Sequence, residues 1–188
     1  MAQTSAAVYH FSEDPNIREF IPHVAASAAD HRPFVWAVGA ERAPDYWFPR
    51  NCPRAMAWVT QASSPTDRDF VLGPGEHDRV HAVEYGWLDA IAACHLFVYA
   101  LAIEPFRLID TDVPHAYVAE VPVTPLGPPE QVGDLLRRHN DAGIQLRLVD
   151  NLWPWWDVVT TTSLGHSGIR LANALPRRSV GLTPKARR

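Results

Sequence analysis

Between Arg79 and Trp87 apolar and polar positions alternate, with His81, Val83, Tyr85 and Trp87 on one face and Val80, Ala82, Glu84 and Gly86 on the other. A period of two puts successive side chains on opposite faces of an extended chain, so this stretch predicts a strand. Ala7–Phe11 predicts another, stopped by the turn formers from Ser12 to Asn16. Phe34–Val38 and Asp45–Phe48 read as two aromatic strands of a hairpin, with Gly39–Pro44 between them. Arg54–Thr60 is ambiguous, and Ser63–Gly75 reads as a polar loop. After a turn or short helix at Leu88–Ala93, His95–Ile103 is apolar on both faces, which suits a central strand; a buried helix is the alternative. Ala116–Val123, Ile144–Val149 and Ser167–Ala172 complete the strands.

The clearest helix is Glu130–Ala142, where Val132, Leu135, Leu136 and His139 recur at i, i+3, i+4 and i+7. Gly143 suits the position just past its end. Trp153–Thr162 reads as a second helix, with Pro154 in its first turn. Many strands and few helices predict an α+β fold, a single domain over residues 7–175 with two small packed mixed or antiparallel sheets. Residues 1–6 and 176–188 are expected to be flexible tails.

Composition narrows this picture. The chain has 188 residues, 47% of them hydrophobic and 20% charged, enough to bury a core and too apolar for disorder. Two cysteines exclude a disulfide-stapled module and a four-cysteine zinc site. No run approaches the roughly 18 apolar residues of a membrane span, and the first residues lack an export signal, so a cytoplasmic location is expected. From Pro176 onward there are five cations and no acids, which leaves twelve cations against twenty-one acids in residues 1–175. An acidic body disfavours nucleic acid as the main partner, because phosphate neutralisation supplies most of that affinity.

Common chemical signatures are absent: no phosphate-cradling glycine loop, and only an incomplete nucleophile elbow at Gly165-His166-Ser167-Gly168. Cys52 and Cys94 read as small buried hydrophobes. His77, His81 and Glu84 would share one face of a helix and could hold a metal there, but a strand turns His81 and Glu84 to opposite faces. No metal is expected. Three clusters remain. His10 and Ser12 could face one cleft at the end of the first strand. Arg50 and Arg54, fixed between prolines, make either a pair of salt bridges or an anion clamp. Trp153, Trp155 and Trp156 cannot all point the same way, so one is free to line a pocket for a flat ligand.

The segments His10-Phe11-Ser12-Glu13-Asp14-Pro15, Phe48-Pro49-Arg50-x-Cys52-Pro53-Arg54 and Ser167-Gly168-Ile169-Arg170 resemble a bacterial family of unknown function. The likeness spans most of residues 8–174. A weaker likeness attaches to the opening strand: apolar-Tyr-His-Phe-Ser resembles the first strand of the ADP-ribosyltransferase-like fold. Leu96–Phe106 followed by Tyr117–Val123 is similar to the strand pair that lines the cleft in that fold. This second likeness implies binding of NAD or a related nucleotide as substrate. It places the ribose at Tyr9, His10 and Ser12, the pyrophosphate at Arg50 or Arg54, and the base against Tyr99, Tyr117 or Trp153.

Cleaving the N-glycosidic bond of NAD leaves an oxocarbenium-like sugar that a fixed carboxylate stabilises. Glu120, with His10 beside the ribose, is the candidate and Glu84 the second. The chain departs from the fold's usual pattern: no Ser-Thr-Ser triplet lies on a central strand, and position 118 is Val where an acidic pair would need Gln or Glu. Three uses stay open: transfer of ADP-ribose, metal-assisted hydrolysis through His77, His81 and Glu84, and non-catalytic binding of a small molecule. The expected partner is a small nucleotide, taken up by a monomer or a homodimer without a membrane.

Overall fold

The computed structural model describes residues 7–24, 32–109 and 116–177. Its opening strand, β1 (Ala7–Ser12), pairs antiparallel along its whole length with β5 (Phe97–Ala102), which sets His10 opposite Tyr99. On the other side β1 meets β2 (Val35–Val38), and β2 meets β7 (Ala116–Ala119). The two-residue strands β6 (Arg107–Leu108) and β8 (Glu130–Gln131) close the edges of this six-stranded antiparallel sheet. Edges this short expose few unpaired backbone groups.

The second sheet holds β3 (Arg54–Trp58), β4 (Arg79–Glu84), β9 (Gln145–Val149) and β10 (Gly165–Ile169), in the order β10-β3-β4-β9. Only the β4–β9 pairing is parallel, which makes the sheet mixed. One face carries Ala55, Ala57, Val80 and Ala82 and packs under α1 (Pro65–Leu72) and α4 (Leu152–Val159). Small side chains on these strands let the helices approach closely.

The opposite face, with Val83, Leu146 and Leu148, meets Phe11 and Val98 of the large sheet across Phe48, Cys52, Ile91 and Leu96. Leu135 of α3 (Leu135–Asp141) packs into the same cluster beside α2 (Leu88–Ala93). The far face of the large sheet has its own core, where Phe20, Phe106 and Val123 cover Val8, Tyr99 and Leu101.

The α+β architecture and the two sheets agree with the sequence reading, and five local readings change. Asp45–Phe48 is not a strand. Ala40–Tyr46 winds into a 3-10 helix, and the Asp45 carbonyl accepts from Arg54 Nε at 2.7 Å instead of entering a ladder. Ser63–Gly75 is not all loop: Ser64 Oγ accepts from Asp67 N at 3.1 Å and Pro65 opens α1, a start signal that was legible. The helix expected from Glu130 begins at Leu135, because Gly133 lies at φ +86° and Asp134 caps the Arg137 amide. Gly143 does take the left-handed conformation past its end, at φ +65°. The strand expected from Ala116 to Val123 ends at Ala119, and Val123 pairs instead with Phe20. The strand expected at Ser167–Ala172 lies over Gly165–Ile169. Of the expected tails, residues 1–6 and 178–188 lie outside the described residues. Pro176 and Arg177 are held: Asn151 Nδ2 donates to the Pro176 carbonyl, and Arg177 pairs with Asp157 of α4 at 2.6 Å.

Candidate functional site

Between the sheets lies a charged centre that the sequence reading left unassembled. Asp45, from the 3-10 helix, is fully buried and takes Arg42 Nε at 2.7 Å and Arg42 Nη2 at 2.5 Å on the same oxygen, Oδ2. Its other oxygen, Oδ1, lies 3.2 Å from His81 Nε2 on β4 and 4.0 Å from Arg79 Nη1. His81 Nδ1 is 3.0 Å from Nε2 of His139 on α3, and His139 Nδ1 donates to the Leu135 carbonyl at 2.7 Å. Arg42 Cζ sits over the Trp58 indole, 3.3 Å from the ring centroid, and Phe48 and Trp47 wall off the two imidazoles.

Burial by itself would raise the Asp45 carboxyl. His81, Arg42 and Arg79 overcome it and hold the group down at about 2. Burial pushes both imidazoles down, helped for His139 by the neighbouring His81, and His139 falls to about 4. One signal for this centre was present in the sequence. His139 occupies the apolar stripe of its helix and His81 shares a face with Val83, and a polar residue on an apolar stripe is one that gets buried. Nothing local tied Asp45 and Arg42 to them.

The residues that the sequence singled out do not gather in one place. Tyr117, Ala37, His10 and Tyr99 form a row across β7, β2, β1 and β5, on the face of the large sheet turned away from the small one. His10 donates from Nδ1 to the Trp36 carbonyl at 2.8 Å and packs on Phe20; burial lowers its pKa, partly offset by that carbonyl. Tyr99 is fully buried, donating to the Asp14 carbonyl and accepting from Ile17 N. Ser12 Oγ is used in the turn, where it accepts from Asp14 N. Tyr9, one position from His10, belongs to the opposite face of β1.

Glu120 follows β7 and is exposed, with Arg107 Nη2 at 2.9 Å and Arg32 Nη1 at 4.0 Å. Arg107 is the register partner of Val118, so this ion pair belongs to the side opposite Tyr117 and His10. The sheet therefore separates His10 from Glu120. Arg54 is buried and spends its guanidinium on the Asp45 and Cys52 carbonyls, while Arg50 is exposed and its amide donates to Glu13. Trp153 stacks under Arg177 and donates to the Leu175 carbonyl.

The metal candidates do not converge either. His77 is exposed in a loop against the Gly143 carbonyl, and His81 belongs to the inter-sheet centre. Glu84 points to the helix side, where its carboxylate accepts from Leu152 N, the first residue of α4, and from Leu175 N, each at 3.1 Å. Among the described residues no group of three metal-ligating side chains forms. Burial raises the Cys52 thiol to about 12 and the Cys94 thiol to about 11, so neither is a ready nucleophile.

A groove of about 340 Å³ runs along the helix side of the small sheet, between α1, β9 and α4. Trp155, Pro154 and Val158 line it from α4, and Phe70, 69% exposed, from α1. Arg147 of β9 also lines it, half-buried, with Nη1 donating to the Val71 carbonyl at 2.7 Å and Nη2 to Gln145 Oε1 at 3.0 Å. Among the described residues its hydrogen bonds go to carbonyl and amide oxygens. Asp150, also on the lining, is itself engaged. A second groove of similar size lies among Asn16, Arg18 and the prolines 125, 128 and 129, without an aromatic wall.

Two sheets enclosing a buried Asp–His–His centre, with helices on the outer face of the smaller sheet, define the chain as an α+β domain. It belongs to a family of unknown function, DUF6886, whose model matches residues 9–174. No curated protein and no solved structure matches it. Among the described residues no helix is long and apolar enough to cross a membrane.

Proposed function

We propose that this domain binds a small flat anion, with nucleotides of the NAD class as the first candidates, in the groove between α1, β9 and α4. The observation that supports the reading is Arg147. It is a half-buried cation hydrogen-bonded to carbonyl and amide oxygens, lining the same groove as Trp155 and the exposed Phe70. An aromatic wall accepts the face of a base, and a guanidinium favours phosphate or carboxylate. The proposal is binding without bond cleavage, because His10 and Glu120 lie on opposite sides of the large sheet.

Val158 offers a clean test, since it lines the groove and is 39% exposed. Titration of NAD and AMP into the protein, followed by calorimetry and tryptophan fluorescence, should give saturable binding. Val158→Lys should tighten it and Val158→Glu weaken it, each by several-fold, with the melting temperature of the unliganded protein unchanged. No binding, or binding indifferent to both charges, removes the groove from consideration. Release of nicotinamide from NAD, lost in Glu120→Gln, would restore the transferase reading in its place.

A further inference from the structure

The three contacts of the Asp45–His81–His139 chain can be counted in protons. The Leu135 carbonyl has no hydrogen to give, so the 2.7 Å contact requires a proton on His139 Nδ1. A neutral His139 then presents a bare Nε2, and the 3.0 Å contact requires the proton on His81 Nδ1. A neutral His81 is left with a bare Nε2 facing Asp45 Oδ1, two lone pairs 3.2 Å apart. Reversing both tautomers only moves the clash to the Leu135 carbonyl. Three gaps need three protons, and two neutral imidazoles carry two.

The geometry agrees with where the deficit should fall. The His81–Asp45 contact is the one of the three without hydrogen-bond alignment, and His81 Nε2 and Asp45 Oδ1 are both buried without a hydrogen-bond partner. Their separation leaves no room for a water between them. A proton fits. A fourth proton does not, because it would set two N–H groups head to head in the 3.0 Å gap between the rings.

We infer that this centre is a binding site for one proton shared by two histidines, empty while both rings are neutral and filled in the gap between His81 Nε2 and Asp45 Oδ1. The groups that face it decide how readily it fills. Arg42 and Tyr46 come from the 3-10 helix, Arg54 from β3 and Arg79 from β4, and Arg138 of α3 stacks on Trp47 beside His139. Against them stands Asp45, with Arg42 already on its other oxygen. The positive surplus and the burial of both rings oppose a further cation, so the site stays empty until the solution is acidic. Once filled, the proton makes His81 and Asp45 an ion pair, which joins the 3-10 helix to β4, and the His81–His139 hydrogen bond carries the link on to α3.

Nitrogen NMR of the full chain, with ¹⁵N-labelled histidine, reads both tautomer and charge. Where both rings are neutral, His81 and His139 should each carry the proton on Nδ1. On acidification both should shift together in a single one-proton step, while the backbone amide spectrum stays folded. In His139→Gln the side-chain amide can donate to His81 Nδ1, so His81 should switch to the Nε2–H tautomer, satisfy Asp45 and lose that step. Two separate steps in the folded protein would overturn the inference. So would an Nε2–H tautomer of neutral His81 in the unaltered chain, or unfolding before any ring takes up a proton.

Discussion

His81 on β4 and His139 on α3 meet nearly edge to face, with Nδ1 of the first 3.0 Å from Nε2 of the second, across 58 residues of sequence. The pair makes stability depend on pH in a definite direction. A buried histidine held below its ordinary value is neutral in the folded protein and readily charged in the unfolded one, so acid favours unfolding. Burial, helped by the neighbouring His81, holds His139 down to about 4, so the pair's stabilisation is present above pH 6.5 and declines as the pH falls below it. Asp45 adds a second loss lower down, between its ordinary value near 3.8 and about 2. Urea unfolding at stepped pH should show the first decline, and His139→Gln should flatten it; a slope left unchanged in that variant would remove His139 as its source.

Asp45→Asn should be among the most damaging single changes in the chain. It keeps the volume but leaves the buried Arg42 guanidinium without its counter-charge, a loss of about 3–5 kcal/mol where one member of a buried pair is removed. The midpoint of denaturant unfolding is the readout. Arg137→Ala is the contrast: it removes an exposed pair with Asp141 and should cost less than about 1 kcal/mol.

Glu84 is a buried carboxylate at the amino end of α4, bound to Leu152 N and Leu175 N. Glu84→Ala should cost about 1–3 kcal/mol, because two amides lose a charged acceptor. Hydrogen exchange should locate the damage. The Leu152 and Leu175 amides should lose protection while those of β1 keep theirs, and uniform loss would contradict the capping role.

Gly165 and Gly168 lie on β10 against tightly packed rings. A methyl group at Gly165 would collide with the Trp58 indole, and one at Gly168 would come 2.5 Å from Leu171 Cδ1. Gly165→Ala should be the worse of the two, costing about 1–3 kcal/mol, since the indole is itself pinned under Arg42. The Leu171 terminus can rotate aside. Thermal melts of both variants decide the order.

The sequence determined the α+β class and most of the strands of both sheets, because alternation and apolar runs are local properties of half-buried and buried strands. It also marked His81 and His139 as polar residues on apolar faces. It could not show that they touch, since that depends on the parallel pairing of β4 with β9 and the packing of α3 on β9. Asp45 misled for a related reason. Its aromatic neighbours imitate a strand, while the Arg54 side chain, reaching back to the Asp45 carbonyl, joins the turn's own backbone bonds, such as Trp47 N to the Pro44 carbonyl, in holding that stretch helical. For the candidate site the tertiary structure decided nearly everything. It buried Tyr99 and Arg54, put His10 and Glu120 on opposite sides of one sheet, and brought Arg147 and Trp155 to one groove, because which groups share a space is fixed by strand order and face and not by spacing along the chain.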